Sequence, residues 1–197
     1  MIPEKLLLER GGSFRKYKKN ESIFFEGNIP AFYYQIVSGS IKMVSVSENG
    51  KEFLQGIFIS GQSFGEPVLL IDKTYPASAV ANEDSVLIKL RKDEFTKILK
   101  EFPEIHLHFT KIFAKQIYYK SLIAKAIAIS GPENRVLSIL KILKDNVSGE
   151  NFKKYKVELS RQQIADMIGF RVETVIRTIK NLEKQKIIKI QKGKIYL

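Results

Sequence analysis

The sequence predicts an α+β protein with a β-rich N-terminal half, one long central helix and a C-terminal domain of short helices and a β-hairpin. Three observations predict this class. Short runs rich in Ile, Val, Phe and Tyr alternate with turn residues over residues 14–90, which is typical of a β-sandwich or small barrel. Residues 103–129 keep one helical pattern, and residues 160–182 form a helix, a glycine turn and a second helix.

In the β-rich half, residues 41–46 and 52–57 fit strands, and Asn49-Gly50 between them is a hairpin signal. A short helix and a turn are expected over residues 1–13, and another short helix over residues 91–101.

The long helix carries apolar residues at heptad spacing. Pro103 is acceptable in its first turn. The predicted seam consists of Ile105, Ile112, Tyr119 and Ala126, with Leu122 and Ile129 at its second position. An apolar heptad row suggests a parallel partner helix, and so a homodimer. The alternative is a helix that packs only on its own domain.

Beyond the long helix, Ser130-Gly131-Pro132 is the best domain boundary. A helix is predicted over residues 132–144, a polar loop or small hairpin over residues 149–156, and a terminal β-hairpin from residues 187–190 and 195–197. The hairpin makes this domain winged.

The segment 160–182 is the most informative part of the chain. Ser160 is a good N-cap, Gln163 completes a capping box, and Gly169 can take the left-handed conformation that ends the first helix. The second helix buries one apolar face, made of Val172, Val175, Ile179 and Leu182. Its other face carries Arg171, Glu173, Arg177 and Lys180. This arrangement suits reading of the DNA major groove, and the alternative is a helical hairpin with a solvated charged face.

Charge supports the DNA interpretation. The net charge is +12, and residues 131–197 hold 15 Lys and Arg against 7 Asp and Glu, whereas residues 1–130 hold 18 against 14. The excess therefore surrounds the helix-turn-helix, where phosphate contacts are needed. The chain has no Cys, which excludes disulfides and cysteine-ligated clusters. Neither a signal peptide nor a membrane span is apparent, so a cytoplasmic protein is expected.

Motifs along the chain resemble the CRP/FNR family of bacterial transcription regulators. The matching N-terminal residues are Ile23-Phe24, Glu26-Gly27, Tyr34, Ile36, Gly39, Ile41, Gly50-Lys51-Glu52, Gly61 and Phe64-Gly65-Glu66. The matching C-terminal residues are Arg161-Gln162, Gly169, Glu173-Thr174-Val175 and Arg177. The resemblance implies a jelly-roll sensory domain of the cyclic-nucleotide-binding type over residues 1–102, a dimerisation helix over 103–130 and a winged helix-turn-helix over 131–197. It also implies a homodimer that binds a palindromic operator in double-stranded DNA and acts on RNA polymerase.

The recognition helix supplies candidate base readers. Arg177 can donate two hydrogen bonds to guanine, and Glu173 can accept one from cytosine. By resemblance, these two residues read a TGA-like half-site. Val172 and Ile176 replace polar readers of the family's two main branches, and either can instead touch a thymine methyl. The predicted DNA-backbone contacts are Ser160, Arg161, Gln162, Arg171, Thr174 and Lys180. The lysines of the wing either contact flanking phosphates or are solvated; they are Lys186, Lys189, Lys192 and Lys194.

The N-terminal domain carries only part of the motif that binds a cyclic-nucleotide effector. In cyclic-nucleotide binders of this fold, a Gly-Glu pair opens a short helix and an Arg about ten residues later neutralises the phosphate. Gly65 and Glu66 are present, but Tyr75-Pro76-Ala77 stands where the Arg is expected. A missing bidentate partner disfavours cyclic AMP. For Gly65 and Glu66 a structural role is favoured, in which the glycine makes the turn and Glu66 caps the short helix that has Pro67 at its first position.

The predicted effector pocket comprises Gly65, Glu66, Tyr75, Lys120 and Ser121, with no cofactor or metal assigned to it. His106 and His108 point to different faces of a helix, so they do not form a metal site. The sequence contains no evident catalytic set, and a non-enzyme is expected. A second hypothesis remains open, in which the chain is chiefly a small-ligand sensor and DNA binding is its output.

Overall fold

The computed structural model describes residues 1–48, 50, 52–129, 131–147 and 155–197. The chain divides into two compact units, Met1–Phe113 and Ala114–Leu197. The predictions for Asn49, for Ser130 in the domain boundary and for most of the loop 149–156 lie outside the described residues.

Two antiparallel sheets build the N-terminal unit, which confirms the predicted β-sandwich or barrel. Its strands are β1 (Ser13–Tyr17), β2 (Ser22–Phe24), β3 (Phe32–Ser38), β4 (Ser40–Val46), β5 (Glu52–Ile59), β6 (Ser63–Phe64), β7 (Ser78–Ala81) and β8 (Ser85–Arg91). Within the described residues, one sheet has the order β1-β8-β3-β6 and the other β2-β7-β4-β5. Consecutive strands β3 and β4 lie in different sheets, and the jelly roll follows from such crossings.

Gly39 makes the crossing between β3 and β4. Its φ is +86°, and a Cβ there would lie 2.3 Å from Ser85 Oγ. Only glycine therefore fits this turn. The two sheets enclose an inner core of mostly apolar side chains, composed of Phe24, Tyr34, Ile36, Ile41, Met43, Phe64, Val68, Tyr75, Ala77, Ala79, Ala81 and Leu87.

Helices cover the outer face of the first sheet. They are α1 (Glu4–Glu9), α3 (Lys92–Glu101) and the start of α4 (Pro103–Ile129), while α2 (Pro67–Ile71) follows β6. Their core contains Tyr33, Phe95 and Phe109, and the Tyr33 and Phe95 rings stack with centroids 4.6 Å apart. The predicted short helix over 91–101 and the predicted long helix over 103–129 are both confirmed.

The C-terminal unit is a winged helix-turn-helix. Its elements are α5 (Pro132–Val147), β9 (Lys156–Val157), α6 (Arg161–Ile168), α7 (Val172–Lys184), β10 (Lys189–Gln191) and β11 (Lys194–Tyr196). The predicted terminal hairpin is confirmed, and β9 joins it to give the order β10-β11-β9. The core of this unit is formed by Val136, Ile139, Leu140, Val157, Ile164, Ala165, Met167, Ile168, Val175, Ile179, Leu182, Ile188 and Ile195.

The predicted seam of α4 faces the chain's own units. Ile105 packs into the core around Phe109, the Tyr119 hydroxyl donates to the Asp145 carbonyl oxygen at 3.3 Å, and Ala126 is buried. Ile112 and Leu122 are half-buried, and the Ile129 side chain lies outside those that the structure describes. Ile105, Tyr119 and Ala126 therefore make contacts or are buried within the monomer, and the dimer interface predicted for the row as a whole stays a prediction.

The opposite face of α4 is exposed and uncharged. It carries Leu107, Thr110, Ala114, Ile117, Ser121, Ala124 and Ala128. We call this set the outer row. Its members also repeat every seven residues, at alternating steps of three and four, as required of a coiled-coil seam. Heptad spacing alone cannot tell an internal row from an intermolecular one. Among the described residues, no helix is long and apolar enough to cross a membrane.

Candidate functional site

The start of α6 has the predicted capping geometry. The Gln163 N–H donates to Ser160 Oγ at 3.1 Å, and the Ser160 N–H donates to Gln163 Oε1 at 2.9 Å. Gly169 ends the helix in the left-handed conformation with φ 73°. The turn and both helix boundaries are therefore determined by local chemistry.

The recognition helix α7 separates its residues into two faces. Val175, Thr178, Ile179 and Leu182 are buried. Glu173, Ile176, Arg177 and Lys180 are exposed on the other side. Among the described residues, none of these four side chains has a hydrogen-bond or ion-pair partner within the chain. An exposed isoleucine with a charged neighbour on each side is a surface ready for base edges and phosphates.

Val172 differs from the other predicted base readers. It is half-buried and packs against the core of the C-terminal unit. Ile176, in contrast, is 39% exposed. The structure thus distinguishes by their exposure two apolar residues that were both predicted to contact bases.

Arg161 has a protein partner. Its guanidinium donates to the carbonyl oxygen of Gly193, in the turn between β10 and β11. The start of the helix-turn-helix is thereby tied to the wing. Ser160, Gln162 and Arg171 are exposed, as phosphate contacts require, although Gln162 also donates to Asp166 Oδ1 at 2.7 Å.

Two residues that support this surface were not predicted. Glu183 Oε1 accepts a hydrogen bond from the Ile190 N–H at 2.9 Å and so holds β10 against α7. The guanidinium of Arg135 lies over the Phe170 ring, 4.6 Å from its centroid, and supports the turn. Neither contact has a sequence signal, because both join residues brought together by the tertiary fold.

The predicted effector residues of the N-terminal unit are packed together. The Phe24 and Tyr75 rings stack with centroids 3.6 Å apart and planes 8° apart. A Cβ at Gly65 would lie 2.9 Å from Phe24 Cζ and 3.1 Å from Tyr75 Cε1. The two rings therefore lie directly on the Gly65 turn, where the resemblance places a ligand phosphate. Tyr75 is only 3% exposed.

Glu66 is also withdrawn from solvent. It is 1% exposed and accepts a hydrogen bond from Ser63 Oγ at 2.7 Å. Burial raises the pKa of its carboxyl above the ordinary value, although hydrogen bonds to the carboxylate lower it in part. Pro67 occupies the first position of α2 as predicted, but the Glu66 side chain makes no capping bond. The predicted capping role of Glu66 is therefore wrong, because its carboxylate accepts a hydrogen bond from Ser63 instead of from the first turn of α2.

The remaining predicted pocket residues lie in the C-terminal unit. Lys120 and Ser121 are exposed on α4, and Ser121 Oγ donates to the Tyr118 carbonyl oxygen at 2.7 Å. Within the described residues, no group of three or more His, Cys, Asp or Glu side chains is arranged to hold a metal ion.

Family models match both units. Residues 14–102 match the cyclic nucleotide-binding domain, and residues 134–197 match the Crp-like helix-turn-helix domain. The chain belongs to the CRP/FNR family. It is a DNA-binding transcription regulator of the CRP/FNR type. The family, the fold class and the DNA-binding function that the sequence predicted are therefore confirmed.

Relatives within the CRP/FNR family align over most of the chain. The cyclic AMP receptor protein of Thermus thermophilus is 24% identical over 92% of this chain and 82% of its own length. The global nitrogen regulator of Nostoc is 29% identical over 91% and 82%. The fold also matches that of CLP, the c-di-GMP responsive global regulator of Xanthomonas campestris, with a TM-score of 0.78 at 19% identity over 98% of this chain and 97% of that one. These CRP/FNR relatives are regulators rather than enzymes.

Proposed function

We propose that this chain binds a palindromic operator as a homodimer, without cyclic AMP, and acts there on RNA polymerase. The observation that carries the proposal is the exposed, unpaired face of α7 beside a basic wing. Arg177 is assigned to guanine and Glu173 to cytosine in a TGA-like half-site core. Ile176 is assigned to a thymine methyl, because it is exposed whereas Val172 is committed to the core.

Phosphate contacts are assigned to exposed groups around this face. The exposed groups are Ser160, Gln162, Arg171 and Lys180, together with the wing lysines, and the half-buried Thr174 is assigned to a phosphate as well. Arg161 has a different role in this proposal. Since it holds the Gly193 carbonyl, it positions the wing, and the wing lysines then reach flanking phosphates.

The dimer is assigned to the outer row of α4. Ile117 is 69% exposed and Leu107 is 56% exposed, which is a high cost for large apolar side chains in water. The smaller members Ala114, Ser121 and Ala124 allow two helices to approach closely. Ile117→Glu should therefore convert the dimer to monomers in sedimentation velocity, whereas Lys115→Gln, on the same helix but outside the outer row, should leave it dimeric.

Independence from cyclic AMP rests on the packed Gly65 turn. A phosphate placed there would have to displace the stacked rings of Phe24 and Tyr75. No arginine compensates in the segment 72–79, and Lys73 is exposed. The domain would keep the fold of a cyclic-nucleotide binder while its own tyrosine fills the ligand position.

Selection of DNA sites from a random pool, with purified protein and no added ligand, tests this proposal. We expect a palindrome with TGA-containing half-sites about one helical turn apart. Failure of a folded dimer to select any site would contradict effector independence.

The second candidate is a ligand-gated sensor, and the match of residues 14–102 to the cyclic nucleotide-binding domain favours it. Calorimetric titration with cyclic AMP and cyclic GMP separates the two. Micromolar binding of either nucleotide would show that the Phe24–Tyr75 stack opens, and the second candidate would replace the first.

A further inference from the structure

After its first turn, α4 carries charged side chains of one sign only, and that sign is positive. After Glu104, the helix carries Lys111, Lys115, Lys120 and Lys125 but no acidic residue. Lys120 and Lys125 are exposed, and among the described residues neither ammonium has a carboxylate within 4 Å. A lysine on a helix ordinarily gains from an acidic residue three or four positions away. Here that support is missing along the whole second half of the helix.

These two lysines flank the outer row on opposite sides. Lys120 directly precedes Ser121, and Lys125 directly follows Ala124. If the row formed by Ala114, Ser121 and Ala128 is position a of a heptad, Lys120 is at position g and Lys125 at position e. Both positions border the seam of a coiled coil and decide, through their charges, which helices can pair.

Pairing of two copies brings these lysines together. In a parallel dimer, a residue at g faces the residue at e of the following heptad in the other helix. In the dimer assigned to the outer row, Lys120 of one protomer would therefore face Lys125 of the partner subunit, and two-fold symmetry would produce this contact twice. Like charges in such positions destabilise the dimer. The dimer proposed above would thus have a region of concentrated positive charge on each side of its seam.

We propose that each lysine pair is an anion site, completed only by the second copy of the chain, that takes a multivalent phosphate-type oxyanion. This inference rests on the homodimer and the outer row assigned under the proposed function. Two ammonium groups supply several charge-assisted hydrogen bonds to one oxyanion, whose charge cancels their repulsion. Because the site exists only in the dimer, the bound anion stabilises the dimer by mass action.

The site links a small anion to DNA binding. A palindromic operator requires both recognition helices, so a ligand that favours the dimer also raises the apparent affinity for the operator. This control needs neither Gly65 nor Glu66. The N-terminal pocket can therefore be filled while the regulator still responds to a phosphorylated metabolite or an inorganic polyphosphate.

The test measures the dimer dissociation constant of the full chain by sedimentation velocity over a concentration series. Sodium chloride and sodium pyrophosphate are compared at equal ionic strength and neutral pH. Since an exposed charge pair changes an equilibrium by a few-fold, we expect pyrophosphate to lower the constant about fivefold. Inorganic phosphate, with fewer charges, should have a smaller effect in the same direction.

Substitutions identify the site. The double variant Lys120→Gln/Lys125→Gln should dimerise about as tightly in chloride as the natural chain does in pyrophosphate, and pyrophosphate should no longer affect it. Lys125→Glu should give the same loss of response, because it turns each like-charge pair into an ion pair. Lys115→Gln is the matched control, since this lysine is exposed on the same helix but lies outside positions e and g.

Two kinds of result would overturn the inference, and they are distinguishable. A dimer with the same constant in chloride and pyrophosphate, or a response retained by the double variant, would remove the anion site and leave the proposed dimer intact. A chain that stays monomeric in both salts, or a dimer that survives Ile117→Glu, would refute the outer-row dimer itself.

Discussion

The two units of this regulator differ in the exposure of their candidate functional side chains. In the C-terminal unit, α7 buries Val175 and Ile179 and leaves Glu173 and Arg177 exposed without protein partners. In the N-terminal unit, Tyr75 is drawn into the core together with Gly65 and Glu66. Both units match a family model, yet only one leaves its candidate binding residues accessible. A match to a family model and an accessible binding site are therefore separate properties.

The difference has a simple physical origin. A helix of 3.6 residues per turn can bury one face and expose the other, so binding and folding use different residues. A ligand pocket inside a β-roll lies within the core itself, and any large side chain that fits it gains burial energy. Tyr75 stacked on Phe24 is such a side chain.

Removal of the tyrosine ring is expected to have the largest effect. Tyr75→Ala would leave a cavity beside Phe24 and should lower the free energy of unfolding by about 3–5 kcal/mol. Chemical denaturation followed by tyrosine fluorescence and circular dichroism measures the loss. Phe25→Ala is the matched control, because the adjacent ring is 60% exposed, and it should change stability by less than about 0.5 kcal/mol. If Tyr75→Ala and Phe25→Ala lower the free energy of unfolding equally, the conclusion that Tyr75 fills the pocket is contradicted.

Removal of a base reader should affect DNA recognition and leave stability unchanged. Arg177→Ala should weaken binding to the selected operator by about 1–3 kcal/mol, with little change for random DNA. Fluorescence anisotropy with both duplexes measures the difference. Lys184→Ala, in the last turn of the same helix, should retain the natural preference. If Arg177→Ala also keeps it, the assignment of the recognition face is wrong.

A smaller effect distinguishes Ile176 from Val172. Replacing the contacted thymine by uracil removes one methyl group, which should cost the natural protein about fourfold in affinity. Ile176→Ala should bind both duplexes equally, because it has no methyl contact to lose. Val172→Ala should still discriminate between them, since Val172 packs in the core. The measurement is a competition titration with the two duplexes, and discrimination that persists in Ile176→Ala would refute the contact.

The smallest expected effect concerns the pH dependence of stability. Burial raises the pKa of Glu66 in the folded state, so the folded protein binds this proton more tightly than the unfolded chain does. Its stability should therefore fall as pH rises above about 4.5, the ordinary value for glutamate. Glu66→Gln keeps an acceptor for Ser63 and cannot ionise, so its advantage in melting temperature should grow from pH 5 to pH 7. Glu26→Gln, which removes a carboxylate at an exposed position, is the matched control.

Sequence reasoning succeeded where structure follows from local chemistry. The caps at Ser160 and Gly169 depend on groups within a few residues of each other, and the structure has both as predicted. Pro67 at the start of α2 is a similar case. The bounds of α4 also agree with the prediction, because a long apolar pattern with a proline at its start specifies a helix by itself.

Sequence reasoning did not reveal contacts between residues that are distant in the chain or that compete for the same group. The carboxylate of Glu66 bonds to Ser63 rather than capping α2. The guanidinium of Arg161 is held by Gly193, 32 residues away. In the heptad row of α4, Ile105 packs against the core of the N-terminal unit and Ala126 is buried within the chain. The Glu66 cap was wrong, whereas the DNA contact of Arg161 and the dimer contact of the heptad row stay predictions.

The sequence by itself determined the order of elements, the helix-turn-helix with its caps, the basic excess around it and membership of the CRP/FNR family. These depend on residue type, spacing and charge, which are all local or additive quantities. Only the tertiary structure decided which face of α4 is free, which of Val172 and Ile176 is exposed, and that Tyr75 lies on the Gly65 turn. Burial and contact depend on how separate segments pack, and no local pattern specifies them.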